Sequence, residues 1–200
     1  MSLSVRDRRL VRLSAAIALG LWDELRALRR DAPAGEPDRA WREVVLQAHL
    51  FAGFPRVVEA ATVLSEAGGL GAPEPDELES GPPDLAAGRA LFNAIYAEHA
   101  APVRATLEAA HPLLARWIAE HAYARVLARP GLSPDRRELC AVAALASQGQ
   151  DRQLAAHARG AVRLGASGAE LRATLEAIAE WLNPAALARA RDVVAHFGKG

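Results

Sequence analysis

The chain has 200 residues, enough for one domain or for two small ones sharing a core. Lys and Arg number 24, as do Asp and Glu, so no net field draws nucleic acid or an anionic membrane surface. One cysteine, Cys140, excludes an internal disulfide and a zinc site built on several thiolates. From the amino end, apolar residues recur at helical spacing, and no run alternates as a strand would. A first helix is expected over Ser4 to Leu19 and a second over Trp22 to Arg30. Asp31 to Pro37 is a turn, because its prolines and glycine interrupt helices. A third helix runs from Asp38 to Ala52. Gly53-Phe-Pro55 breaks it, and Pro55 opens the next helix, which ends near Glu66.

Residues 67–83 are rich in Gly, Pro, Asp and Glu and read as a linker between an N-terminal helical repeat, 1–66, and a C-terminal helical domain, 84–200. Helices then follow over Asp84 to His99, Pro102 to Ala110 and Pro112 to about Ala128. Arg129-Pro-Gly-Leu-Ser-Pro134 stops one helix and starts another, with Ser133 as an N-cap and Pro134 at the first helical position. The last helices are expected over Pro134 to Gln148, Asp151 to Leu164, Ser167 to Leu182 and Pro184 to Phe197. Ser167 and Glu170 form a capping-box pattern. No apolar stretch stays free of charge for the ~18 residues that a membrane span needs, so a cytoplasmic location is the default expectation.

The two ends of the chain resemble each other. A shift of 129 residues places Arg8–Leu64 on Arg137–Val193 without a gap. Gly20 then meets Gly149 in one inter-helix turn, and Pro55 meets Pro184 at the start of one last helix. Such a repeat predicts two similar helical units packed on a shared core.

Four marks carry a further resemblance: RPGL at Arg129–Leu132, RELC at Arg137–Cys140, QLAAH at Gln153–His157, and Gly-Ala-Ser-x-x-Glu from Gly165 to Glu170. Val45–Leu64 adds a weaker one. On these the chain resembles the carboxymuconolactone decarboxylase family, which also includes alkylhydroperoxidase D. The resemblance implies an all-α fold of two alkylhydroperoxidase D-like helical units in one chain. In the peroxidase branch a carboxylate is followed 12 residues later by Cys-x-x-Cys, and a His lies four residues after the second Cys. Here Glu138 and His157 hold the carboxylate and histidine positions, and Gln150 and Gln153 replace the thiols. Glutamine can neither attack a peroxide nor resolve an oxidised thiol, so dithiol peroxidase activity is not expected. Cys140 lies two residues along the helix from Glu138, about 200° around it. It reads as a small buried hydrophobe.

What remains is an acid–base pair. Glu138 shares a helical stripe with Val142 and Leu145, and His157 shares one with Leu154, Ala161 and Leu164. Apolar surroundings raise a carboxyl pKa and a nearby imidazolium lowers it, so the pair suits proton transfer near neutral pH. The competing reading is a contact that only ties two helices together. Glu120, His121 and Tyr123 are weaker catalytic candidates, on the helix that enters the RPGL turn. Arg129 is a candidate substrate-binding group for an anionic acid, set against a role in capping helix carbonyls. His49, His99, His111 and His196 lack metal-ligand spacing and read as structural or surface groups, while the four tryptophans read as core or interface anchors. No phosphate loop, nucleophilic serine motif or HExxH is present, so no nucleotide, flavin or metal is implied. The resemblance implies decarboxylation of a small carboxylated lactone or keto acid. A non-catalytic assembly or ligand-binding member and a thiol-dependent oxidoreductase stand as the alternatives. It also implies a homo-oligomer, a trimer or another closed ring.

Overall fold

The computed structural model describes residues 2–78 and 81–197, in which helices joined by turns and irregular segments make up the fold and no strand occurs. Residues 79 and 80 of the expected linker, and Gly198 to Gly200, lie outside the described part. The helices are α1 (Val5–Leu19), α2 (Trp22–Arg30), α3 (Asp38–Glu66), α4 (Leu85–Tyr96), α5 (Ala100–Ala110), α6 (Pro112–Trp117), α7 (Pro134–Ser147), α8 (Asp151–Arg163), α9 (Gly168–Ile178) and α10 (Pro184–Ala195).

The centre of the molecule is α1 against α7. Both are buried around most of their circumference, which only alanine-rich helices can manage at close range. Ala15, Ala16, Ala143 and Ala144 let the two backbones approach, and the Ser14 hydroxyl donates to the Cys140 carbonyl at 2.8 Å. Trp41 of α3, Leu154 of α8, Leu171 and Leu175 of α9 and Val194 of α10 complete this main core. α1 and α7 begin 129 residues apart, and so do α2 and α8. Gly20 and Gly149 both take left-handed φ, at 72° and 65°, where any residue with a Cβ is strained. The break expected at Gly53 is a kink in α3, with φ 79° and ψ 160° at the glycine.

The segment after α3 is less free than a linker. A 3₁₀ turn at Pro75–Glu77 brings the Glu77 carboxylate onto the Arg42 guanidinium, at 2.5 and 2.8 Å. That bond holds the Glu77 carboxyl at about 2. The Ser167–Glu170 capping box forms in both directions, whereas the Ser133 side chain makes no cap bond.

A second, smaller cluster of Phe92, Ile95, Ala100, Tyr123 and Leu127 joins α4 and α5 to the segment that follows α6. The long helix expected from Pro112 is α-helical only to Trp117. From Ile118 to Leu127 it winds as a π-helix, in which each N–H reaches five residues back instead of four. That wider turn lets Ile118, Ala122, Tyr123 and Leu127, spaced by four to five residues, all face the small cluster. α4 meets the π-helix backbone to backbone at Gly88, where an added Cβ would lie 2.7 Å from the N, Cα and Cβ of Ala124. Trp117, expected as an anchor, is 62% exposed at the junction of α6 and the π-helix.

Candidate functional site

Glu138 sits in the second turn of α7, and His157 in the middle of α8, the helix that turns back along it. The sequence places both on core-facing stripes, and the turn at Gly149 brings the stripes together. Glu138 Oε2 lies 2.9 Å from His157 Nδ1, and both side chains are buried. Gly160 makes room for the carboxylate, since a Cβ there would stand 2.7 Å from Glu138 Oε2. Phe51, from α3, meets the His157 ring edge to face at 5.4 Å between centroids. Two phenols lie on the side of the small cluster. The Tyr123 hydroxyl donates to that of Tyr96 at 3.3 Å. Burial raises both phenol pKa values, and the Glu138 charge acts on both in the same direction. The site is thus a carboxylate–imidazole couple with two neutral phenols nearby, able to accept, hold and return a proton.

The other candidates fall elsewhere. Arg129 turns away from Glu138 and grips Glu43 of α3 through two nitrogens, with contacts of 2.9 to 3.2 Å, and also donates to the Glu77 carbonyl. Its guanidinium therefore reaches a carboxylate of the protein itself and not the last carbonyls of its own helix. Arg137 donates to Glu43 Oε2 at 2.8 Å, an oxygen that Arg129 Nε also reaches at 3.1 Å, so a single buried carboxylate serves two arginines. His121 meets His49 of α3, Nε2 to Nε2 at 2.7 Å, and Phe54 stacks on His49 at 4.8 Å. Burial, His49 and Arg125 all lower the His121 pKa. His49 is therefore one half of an imidazole pair, a role that its solitary position in the sequence did not suggest. Glu120 lines a surface cleft together with Tyr123. Among the described residues no group of three or more His, Cys, Asp or Glu is placed to hold a metal ion.

Tyr96, Phe51 and Gly160 were missed in the sequence, and only Gly160 carried a signal there. A glycine inside a helix costs up to about 1 kcal/mol against alanine, so its presence in α8 asks for a steric reason. Cys140 is wholly buried in α7, and burial pushes its thiol up to about 12. Gln150 and Gln153, at the positions of the peroxidase thiols, are exposed at the start of α8. Alkylation of the native chain at neutral pH is expected to leave Cys140 unlabelled until denaturant is added. Rapid labelling of the native protein would restore thiol chemistry to consideration.

The carboxylate and the imidazole thus face each other across the α7–α8 hairpin of an all-helical fold. The stretch from α6 to α10, residues 112–196, matches the model of the Carboxymuconolactone decarboxylase family. Val45–Leu64, where a weaker resemblance was expected, lies outside the matched residues. A search of curated proteins returned no match. Among the described residues no helix is long and apolar enough to cross a membrane.

Proposed function

We propose that the C-terminal domain is a cofactor-free acid–base catalyst that decarboxylates a small carboxylated lactone or keto acid, with Glu138 and His157 as the catalytic pair. The observation that carries this reading is the buried 2.9 Å contact between Glu138 Oε2 and His157 Nδ1. When Nδ1–H donates to the carboxylate, Nε2 is the ring atom left to exchange protons. In the reaction the bond between the substrate carbon and its carboxylate breaks and carbon dioxide leaves. The electron pair passes to the conjugated carbonyl, and the carbon then takes the proton from His157 Nε2–H. The carboxylate of Glu138 orients the ring and stabilises the imidazolium, and water returns the proton.

The full chain is expected to release carbon dioxide from carboxymuconolactone. Glu138→Gln is expected to lower kcat roughly 10²–10⁴-fold while the melting temperature stays unchanged. No release by the unaltered chain, or full activity in Glu138→Gln, defeats the reading.

A second reading is favoured by one observation: neither Glu138 nor His157 lines the cleft of about 630 Å³ on the molecular surface. On that reading the pair ties α7 to α8 in a non-catalytic member, as a repeat whose matching positions hold Arg9 and Leu28 does without it. A large loss of stability in Glu138→Gln, together with no carbon dioxide release by the unaltered chain, would select it.

A further inference from the structure

The cleft of about 630 Å³ lies between α4, α5, α6 and the π-helix. Its apolar lining includes Phe92, Leu107, Ile118 and Tyr123. Phe92 and Tyr123 belong to the small core cluster, with their rings 4.8 Å apart and nearly perpendicular, so that wall is held by packing on its far side. Three arginines also line the cleft, Arg89, Arg104 and Arg116, against two acidic residues, Glu108 and Glu120. Arg104 is positioned by Asn93 Oδ1 at 2.9 Å and stands over the Phe92 ring, with 5.3 Å from Cζ to the centroid. Arg89 and Arg116 make no ion pair or side-chain hydrogen bond to any described residue. That sets them apart from Arg42, Arg129, Arg136 and Arg163, each of which is matched to a carboxylate.

We infer that this cleft binds an organic monoanion with an apolar, ring-sized body, whose carboxylate meets Arg89 and Arg116. Two features fix the class. The lining residues include one arginine more than they include acidic residues, so a single negative charge balances them. The apolar floor and a volume at the small-molecule scale exclude a bare inorganic ion as the best-fitting occupant. A guanidinium without a partner among the described residues is available to form a forked pair with an incoming carboxylate, which a hydroxyl in the same place cannot match. The site is separate from Glu138 and His157, and it stands or falls without them.

Calorimetric titration of the full chain with 1-naphthoate, and with the neutral 1-naphthylmethanol as the matched control, tests this. Naphthoate is expected to bind about tenfold more tightly than the alcohol. The Arg89→Gln/Arg116→Gln double variant, at two exposed positions, is expected to remove that difference and to leave the weak binding of the alcohol in place. Because the fold could respond to the double change, each single variant is titrated as well, with circular dichroism as the check on folding. Equal affinity for the two probes, no binding of naphthoate at millimolar concentration, or unaltered naphthoate binding in folded variants overturns the inference.

Discussion

Glu43→Ala is expected to destabilise the protein by about 3–5 kcal/mol, because it leaves a buried arginine without its countercharge. Glu43 is 0% exposed and Arg137 is 1% exposed. Without the carboxylate, Arg137 retains the carbonyls of Arg129 and Pro130 and a long contact to Gln47, none of which carries a full negative charge. Arg137 Nε already lacks a partner. For a chain of this size the loss corresponds to a fall in melting temperature of roughly 6–20 °C. The cost lies in stranding the charge more than in losing the pair, so the double variant Glu43→Ala/Arg137→Met is expected to be more stable than Glu43→Ala alone. A double variant no better than the single one would show that the packing around the pair, and not its electrostatics, holds this junction.

Gly88→Val is the second large effect, about 3 kcal/mol, and it is a local one. The atoms that a side chain would strike belong to the backbone and Cβ of Ala124, and none of them can rotate aside. α4 must therefore lift from the π-helix, which opens the Phe92–Tyr123 cluster while α1 and α7 stay packed. Amide hydrogen exchange is the sensitive readout: protection should fall in α4 and in 118–127 and persist in α1 and α7. Uniform loss across the chain would mean that the two clusters unfold as one unit.

Helix order was plain in the sequence because Gly and Pro mark nearly every boundary and alanine leaves few alternatives to helix. The Glu138–His157 contact was legible for a similar reason: the helical period puts both on core-facing stripes, and a short glycine turn leaves the two helices little choice but to pack. What could not be read depends on contacts between distant segments. Glu43 and Arg137 are separated by 94 residues, as are many pairs of charged residues that never meet. Phe51 and Tyr96 approach the site from α3 and α4, and nothing in their neighbours' periodicity says so. The π-helix was invisible because Ile118 to Leu127 has ordinary helical composition, and its close contact with α4 at Gly88 involves a segment that the local sequence does not contain.

The Ser14 hydroxyl on the Cys140 carbonyl and the alanine faces of α1 and α7 carry a practical meaning for anyone handling this chain. The boundary of recognisable ancestry, at residue 112, is not the boundary of what must be synthesised together. Expression of 112–196 alone would strip one flank from its central helix and turn a buried alanine seam into a sticky surface. α1, outside the matched residues, thus covers a face of α7 that the shorter piece would expose.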